Sequence, residues 1–233
     1  MTLNIAADCD LVVLTLNRPP VNALDLATIL ELEQAFSNLA AIPPKAVILT
    51  GAGQNFCAGV DTKAFLGAPP AKRRETVLAI SRMVAAYWAV PCPVVAAING
   101  HALGGGFVLM LSADWRLAAD SDAIKLGMTE AQAGVPFPAG PLAIIAHEVP
   151  SPLLRQLTLA SQVFSPWSLT EARILDGLCV PGELLAKAKQ AGRTMAAQPA
   201  FATVKRQLRG DLAARLGEIA DSGEEPYLKG FGA

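Results

Sequence analysis

The sequence predicts an α/β core over residues 1–138 followed by a helical region over residues 139–233. Three observations carry this expectation. Short apolar runs that end at turn residues alternate with stretches of helical spacing through the first part of the chain. Strand signals fade after about residue 138, and helical spacing continues. Hydrophobic residues make up 52% of the 233, enough to fill the core of one large domain.

The elements follow in order. Leu11-Val12-Val13-Leu14-Thr15-Leu16 is a compact apolar run that ends at Asn17-Arg18-Pro19-Pro20, a strand stopped by a turn. Asp25 suits the N-cap of a helix with Ile29, Leu32, Phe36 and Leu39 on one face, ended by Pro43-Pro44. Ala46 to Thr50 is a second strand, and Gly51 to Asp61 the loop after it. Residues 71–89 predict a helix and Val94 to Ile98 a third strand, which runs through Asn99-Gly100 into a glycine-rich turn. Phe107 to Leu111 opens a buried helix, and residues 114–118 predict a strand that Asp114 starts. Helices are expected over 140–148, 151–160, 168–176, 182–196 and 199–218. No sequence repeat, low-complexity segment or long linker interrupts the chain.

Charge and cysteine usage exclude several classes. A net charge of −1 gives no electrostatic case for nucleic acid or an anionic membrane as partner. The short clusters Lys72-Arg73-Arg74 and Lys205-Arg206 read as solvated helix faces, or as contacts for a phosphate-bearing ligand. The four cysteines show no CxxC spacing and form no metal-ligand pattern with the two histidines, so no metal is expected and reduced thiols of a cytoplasmic protein are. Met1 to Asp10 carries acids and no apolar run, so a secretory leader is not expected, and no apolar run reaches membrane-spanning length.

Two glycine-bearing loops hold the chemical signal. Gly51-Ala52-Gly53 follows a strand as a dinucleotide-binding loop would, but Phe56 stands at the third glycine position. No Gly-Lys-Ser/Thr follows any glycine cluster, which removes a nucleotide P-loop. Gly104-Gly105-Gly106 lies between a strand and an apolar helix. Glycines there allow tight helix–sheet packing, or they leave unpaired N–H groups at a helix start to hold a developing oxyanion.

The ordered series is more specific than either loop. It runs Leu16-Asn17-Arg18-Pro19, Asn22-Ala23-Leu24, Phe56-Cys57-Ala58-Gly59-Val60-Asp61, Ala96-Ala97-Ile98-Asn99-Gly100, Gly104-Gly105-Gly106, and Gly127-Met128-Thr129-Glu130 with Gly134-Val135-Pro136. That series resembles the crotonase (enoyl-CoA hydratase/isomerase) family over nearly the whole chain. The resemblance implies a spiral of ββα units with a helical C-terminal trimerisation region, hence a homotrimer or a dimer of trimers. It implies an acyl-CoA thioester substrate, with coenzyme A entering as part of the substrate and no separate cofactor. It places oxyanion donors at the N–H groups of Val60 and Gly105, and substrate contacts at Ala23, Ala58, Val60, Asp61, Gly104, Gly105 and Val108.

Family hydratases carry two glutamates. Val108 stands at the first of those positions, and Glu130 lies in the segment that holds the second. One acid suits a shift of a double bond from C3–C4 to C2–C3, where a single group can move the proton. The segment Leu126 to Val135 also resembles that of Δ3-Δ2-enoyl-CoA isomerases, so isomerisation is favoured over hydration. Decarboxylation or hydrolysis through the same enolate, or acyl-CoA binding without catalysis, remains an alternative. Glu130 also reads simply as an acid in the first turn of a helix. His101 is expected to be structural, His147 and Glu148 to lie at a surface or interface, Cys57 to be inert and Asp61 to brace its loop. Glu218 to Ala233 looks trimmed relative to the family's terminal helix.

Overall fold

The computed structural model describes residues 2–232; Met1 and Ala233, the outermost residues of the two terminal stretches read above, lie outside it. The chain opens with β1 (Leu3–Asp8) and β2 (Leu11–Leu16), an antiparallel pair with Leu3 opposite Leu16. The strand β1 has no apolar run, because it is held by backbone pairing and buries only Leu3. The Asp25 carboxylate accepts the Thr28 N–H and starts α1 (Leu26–Ala41), which buries Ile29, Leu32, Ala35, Phe36 and Leu39 against the core.

From there the chain repeats one move. β3 (Ala46–Gly51) is followed by β4 (Asn55–Cys57), then by the helices α2 (Thr62–Gly67) and α3 (Pro70–Trp88). β5 (Val94–Ile98) is followed by β6 (His101–Leu103) and α4 (Gly105–Leu111). β7 (Trp115–Ala119) is followed by β8 (Leu126–Gly127) and α5 (Glu130–Ala133). The first strand of each unit joins a six-stranded sheet of order β1-β2-β3-β5-β7 with β10 (Gly177–Cys179) beyond β7, and the second joins a four-stranded sheet of order β4-β6-β8 with β9 (Val163–Phe164) beyond β8. This is the α/β spiral of ββα units. The repeat is one of structure, carried without any repeat of sequence.

The second half is not helical throughout, as the sequence suggested. Two short strands interrupt the helices α6 (Ala139–Glu148), α7 (Ser151–Thr158), α8 (Pro166–Glu171), α9 (Leu184–Ala196) and α10 (Phe201–Ser222), one between α7 and α8 and one between α8 and α9. These are β9 (Val163–Phe164), antiparallel to β8, and β10 (Gly177–Cys179), parallel to β7. Pieces this short carry no periodicity. The helix expected over 168–176 stops early because Arg173 takes a left-handed φ of 61°. Beyond α10 a single 3₁₀ turn spans Leu228–Phe231.

Lys205 is also not the solvated side chain the sequence suggested. It is buried on α10, and its ammonium donates to the Asp114 carboxylate at 2.6 Å and to the Cys92 carbonyl at 2.9 Å. Arg209, one turn on, pairs with Asp114 at 3.1 Å and lies 4.3 Å above the Trp88 ring. Glu148, expected at a surface or interface, instead joins Arg209 to Arg116 inside this network. Asp114 therefore ties α10 to the start of β7. Removing one member of a buried ion cluster leaves the others charged and unpaired. Asp114→Ala is expected to lower unfolding free energy by about 3 kcal/mol or more, read from chemical denaturation; a loss near zero would mean the cluster anchors nothing.

Candidate active site

Topology brings three loops to one place. β4, β6 and β8 lie side by side and parallel, with Cys57 opposite Ala102 and Leu103 opposite Gly127. The segments leaving their C-terminal ends therefore emerge together: Ala58 to Asp61, Gly104 to Gly106, and Met128 to Glu130. Ligands of parallel sheets favour this end of the strands.

The first two segments present backbone donors. The Leu24 N–H donates to the Gly59 carbonyl at 2.8 Å, and the Asp61 N–H donates to the Leu24 carbonyl at 2.9 Å. This bridge brackets Val60 and turns its own N–H away from Leu24. Gly105 is the first residue of α4, ahead of the first intrahelical bond. Neither N–H has a partner among the described residues. The two loops are in close contact. A Cβ on Gly59, whose φ is +83°, would lie 2.6 Å from the Leu103 carbonyl oxygen and 3.0 Å from the Gly105 nitrogen. A Cβ on Gly106 would lie 2.1 Å from the Cys57 carbonyl oxygen. Only glycine fits at these two contacts.

Side chains that the sequence offered only as motif letters hold the loops in place. The Asn22 amide donates to the carbonyls of Ala52 and Asn55 at 3.0 and 2.8 Å. Asn99 accepts the Gly51 N–H and donates to the Gly53 carbonyl, both at 3.0 Å. Asp61 accepts the Ala64 N–H at the start of α2 and pairs with Arg18 at 2.9 Å, and these contacts hold its carboxyl below the usual range. It braces the loop.

The third segment supplies the acid. A cavity of about 100 Å³ is lined by Ala58, Val60, Gly104, Gly105, Val108 and Glu130, together with the apolar side chains of Phe65, Val77, Ile80, Phe137 and Phe231. Glu130 is the one ionisable side chain on its wall among the described residues. A Cβ on Gly104 would come within 3.0 Å of Glu130 Oε1, so the carboxyl stands beside the donor loop. Its Oε2 is buried without a partner. Burial pushes its pKa up to about 7, against the backbone N–H groups of Glu130 and Thr129, which pull it down. Val108 follows Gly105 by one helical turn and is buried on the same wall.

The other residues singled out from the sequence fall elsewhere. Asp61 lies in an adjoining groove with Asp25, Lys72 and Thr76, which shares Val60 and Phe65 with the cavity. Ala23 lines neither; its carbonyl accepts from Arg18. His101 Nδ1 accepts the Lys125 N–H and does not line the cavity. His147 is half-exposed, edge-on to Trp88. Cys57 is buried and its thiol is pushed up to about 12, which leaves it unreactive. Among the described residues no cluster of acids, histidines and cysteines could hold a metal ion, and no helix is long and apolar enough to cross a membrane.

The chain that carries these loops and this acid also matches a family model over most of its length. The model for enoyl-CoA hydratase/isomerase matches residues 7–224. The chain belongs to the enoyl-CoA hydratase/isomerase family. A probable enoyl-CoA hydratase, echA17, of Mycobacterium avium is 30% identical over 97% of this chain and 88% of its own. A putative enoyl-CoA hydratase/isomerase, YngF, of Bacillus subtilis is 30% identical over 87% of this chain and 81% of its own. The probable enoyl-CoA hydratase EchA3 of Mycobacterium tuberculosis superposes with a TM-score of 0.86 at 24% identity, over 95% of this chain and 94% of its own. In this crotonase-fold enzyme the two donor loops and the Glu130 carboxyl line one cavity.

Proposed function

We propose that the chain isomerises a 3-enoyl-CoA to the 2-enoyl-CoA, with Glu130 moving the proton and the N–H groups of Val60 and Gly105 holding the thioester oxygen. The observation that carries this reading is the single acid of the cavity, set beside the donor loop while Val108 takes the neighbouring wall. The Glu130 carboxylate removes a proton from C2. The electron pair of that C–H bond delocalises through the C3–C4 double bond and the carbonyl, giving a dienolate whose oxygen is stabilised by the two N–H groups. The protonated Glu130 returns the proton at C4, and the double bond settles at C2–C3. No water enters the reaction, in keeping with an apolar wall. A carboxyl poised near neutral pH is suited both to take and to return a proton.

A second reading is hydration of a 2-enoyl-CoA. It is supported by the names of relatives, among them a crotonyl-CoA hydratase of Syntrophomonas wolfei that is 30% identical over 90% of this chain. Hydration must activate a water and protonate C2, and one carboxyl does both less well than two. The test offers 3-enoyl-CoA and 2-enoyl-CoA of equal length to the same enzyme. Isomerisation is expected to outrun hydration; dominant hydration overturns the proposal. Exchange of C2 protons with deuterated water, run alongside, should be rapid, and its absence would leave a protein that only binds.

The base must be ionised to act. Isomerisation is therefore expected to rise about tenfold per pH unit below pH 7 and to level off above it. A rate profile for kcat/KM that stays flat between pH 5 and 8 would contradict Glu130 as the base.

A further inference from the structure

The wall of the cavity has one contributor from far along the chain. After α10 the backbone crosses back over the site in a strap that ends in the 3₁₀ turn Leu228–Phe231. Buried Glu225 starts it, accepting the Ala139 N–H at the head of α6 at 2.8 Å. Gly230 lies against Pro136, where an added Cβ would come within 2.9 Å of the proline ring. The Arg73 guanidinium on α3 holds the Phe231 carbonyl at 3.4 Å and the Ala68 carbonyl at 3.0 Å. The Phe231 ring is buried, edge-on to Phe65 with centroids 6.3 Å apart, and packs with Val77 and Val60. Four of the segments the strap touches, α2, α3, α6 and the loop from Val135 to Pro138, also line the cavity. The basic cluster Lys72-Arg73-Arg74 is thereby partly explained: Arg73 and Arg74 hold strap carbonyls, those of Phe231 and Gly223.

We propose that Phe231 is a specificity-determining residue, the stop that sets how long an acyl chain the cavity accepts, and that Arg73 and Glu225 position it. This rests on the acyl-thioester reading of the site. Its physical basis is simple. The Phe231 ring forms part of the apolar lining of the cavity that also holds Glu130. Helices and the loop from Val135 to Pro138 make most of its apolar wall, and the strap adds the Phe231 ring. A ring inserted there occupies the space that further methylenes would need. Discrimination by about tenfold or more per misfitting methylene is typical of such pockets.

The experiment measures kcat/KM for C2 proton exchange on saturated acyl-CoAs of increasing chain length, with the full-length wild type, Phe231→Ala and Phe231→Trp. Phe231→Ala is expected to move the optimum to longer chains, raising the ratio of long-chain to short-chain kcat/KM by tenfold or more. Phe231→Trp is expected to move it the other way. Thermal unfolding of each variant separates a changed pocket from a lost fold, and if the alanine variant does not fold, the tryptophan variant decides. The same factor at every chain length in both variants overturns the proposal. If the wild type exchanges no C2 proton on any acyl-CoA, the acyl-thioester reading itself fails, which is a different outcome from an unmoved length profile in an active enzyme.

Discussion

Glu130→Gln is expected to lower isomerase turnover by about 10² to 10⁴ while leaving binding of the acyl-CoA nearly unchanged. Glutamine keeps the shape and cannot carry the proton. The effect belongs in kcat, because the carboxyl acts on the C2 hydrogen during the chemical step and makes no ground-state ion pair with any described side chain. Loss of turnover together with an equal loss of affinity would instead point to a binding role. The same substitution has a second signature in stability. Folding raises the Glu130 pKa from its ordinary value of 4.5 to about 7, because burial penalises the charged carboxylate. Below pH 4.5 the carboxyl is protonated in both states and costs nothing. Between pH 4.5 and 7 the folded state holds more protons than the unfolded, so stability falls as pH rises, and above pH 7 the cost is constant. Glutamine removes that cost. The variant is therefore expected to be more stable than wild type by about 3 kcal/mol at pH 8, with the difference vanishing near pH 4. A catalytic acid held at a cost to the fold should be less active and more stable when neutralised; a variant that is less stable at pH 8 would contradict this account of the site.

Gly59→Ala is expected to lower turnover by about 10² to 10³. The change adds one methyl group, but that carbon would sit 2.6 Å from the Leu103 carbonyl and 3.0 Å from the Gly105 nitrogen, on a backbone with φ at +83°. The loops must separate, and a hydrogen bond to a developing oxyanion weakens steeply with small displacements. The loss should appear in C2 proton exchange as well as in isomerisation, since both pass through the enolate. Circular dichroism at the assay temperature is expected to show a folded protein. Full exchange activity in a folded Gly59→Ala would remove Val60 and Gly105 as a working pair.

Several parts of this molecule were legible in the sequence for physical reasons. β2, β3 and β5 and the face of α1 are buried, and burial writes an apolar pattern. β4, β6, β8 and β9 have two or three residues each and are defined by backbone pairing, which leaves no pattern to read. The spiral was therefore accessible through family resemblance and not through periodicity. The glycines of the two loops were readable because close backbone contact excludes every other residue. The acid was readable only as one of two roles, since Glu130 does stand in the first turn of a helix, α5, and also faces the cavity. Lys205 was misread because a lysine signals exposure unless its partners are known, and Asp114 lies 91 residues away. Phe231 carried no signal, because it stands with Tyr227 in a short glycine-rich stretch without periodicity, and its contacts lie on distant helices.

The strand β10 has a further consequence for how the protein is made. It completes the large sheet by pairing with β7, and Asp176, just before it, accepts the Arg116 N–H across 60 residues of chain. A ribosome lays down β2, β3, β5 and β7 first, and at about 5 to 20 residues per second the wait for β10 is roughly 3 to 12 seconds. Throughout that wait the outer edge of β7 presents unpaired backbone groups to any other nascent strand nearby. The strands that carry the reactive loops are already translated by then. During biosynthesis the vulnerable part of this enzyme is therefore an edge of its large sheet, while the site strands β4, β6 and β8 belong to the other sheet.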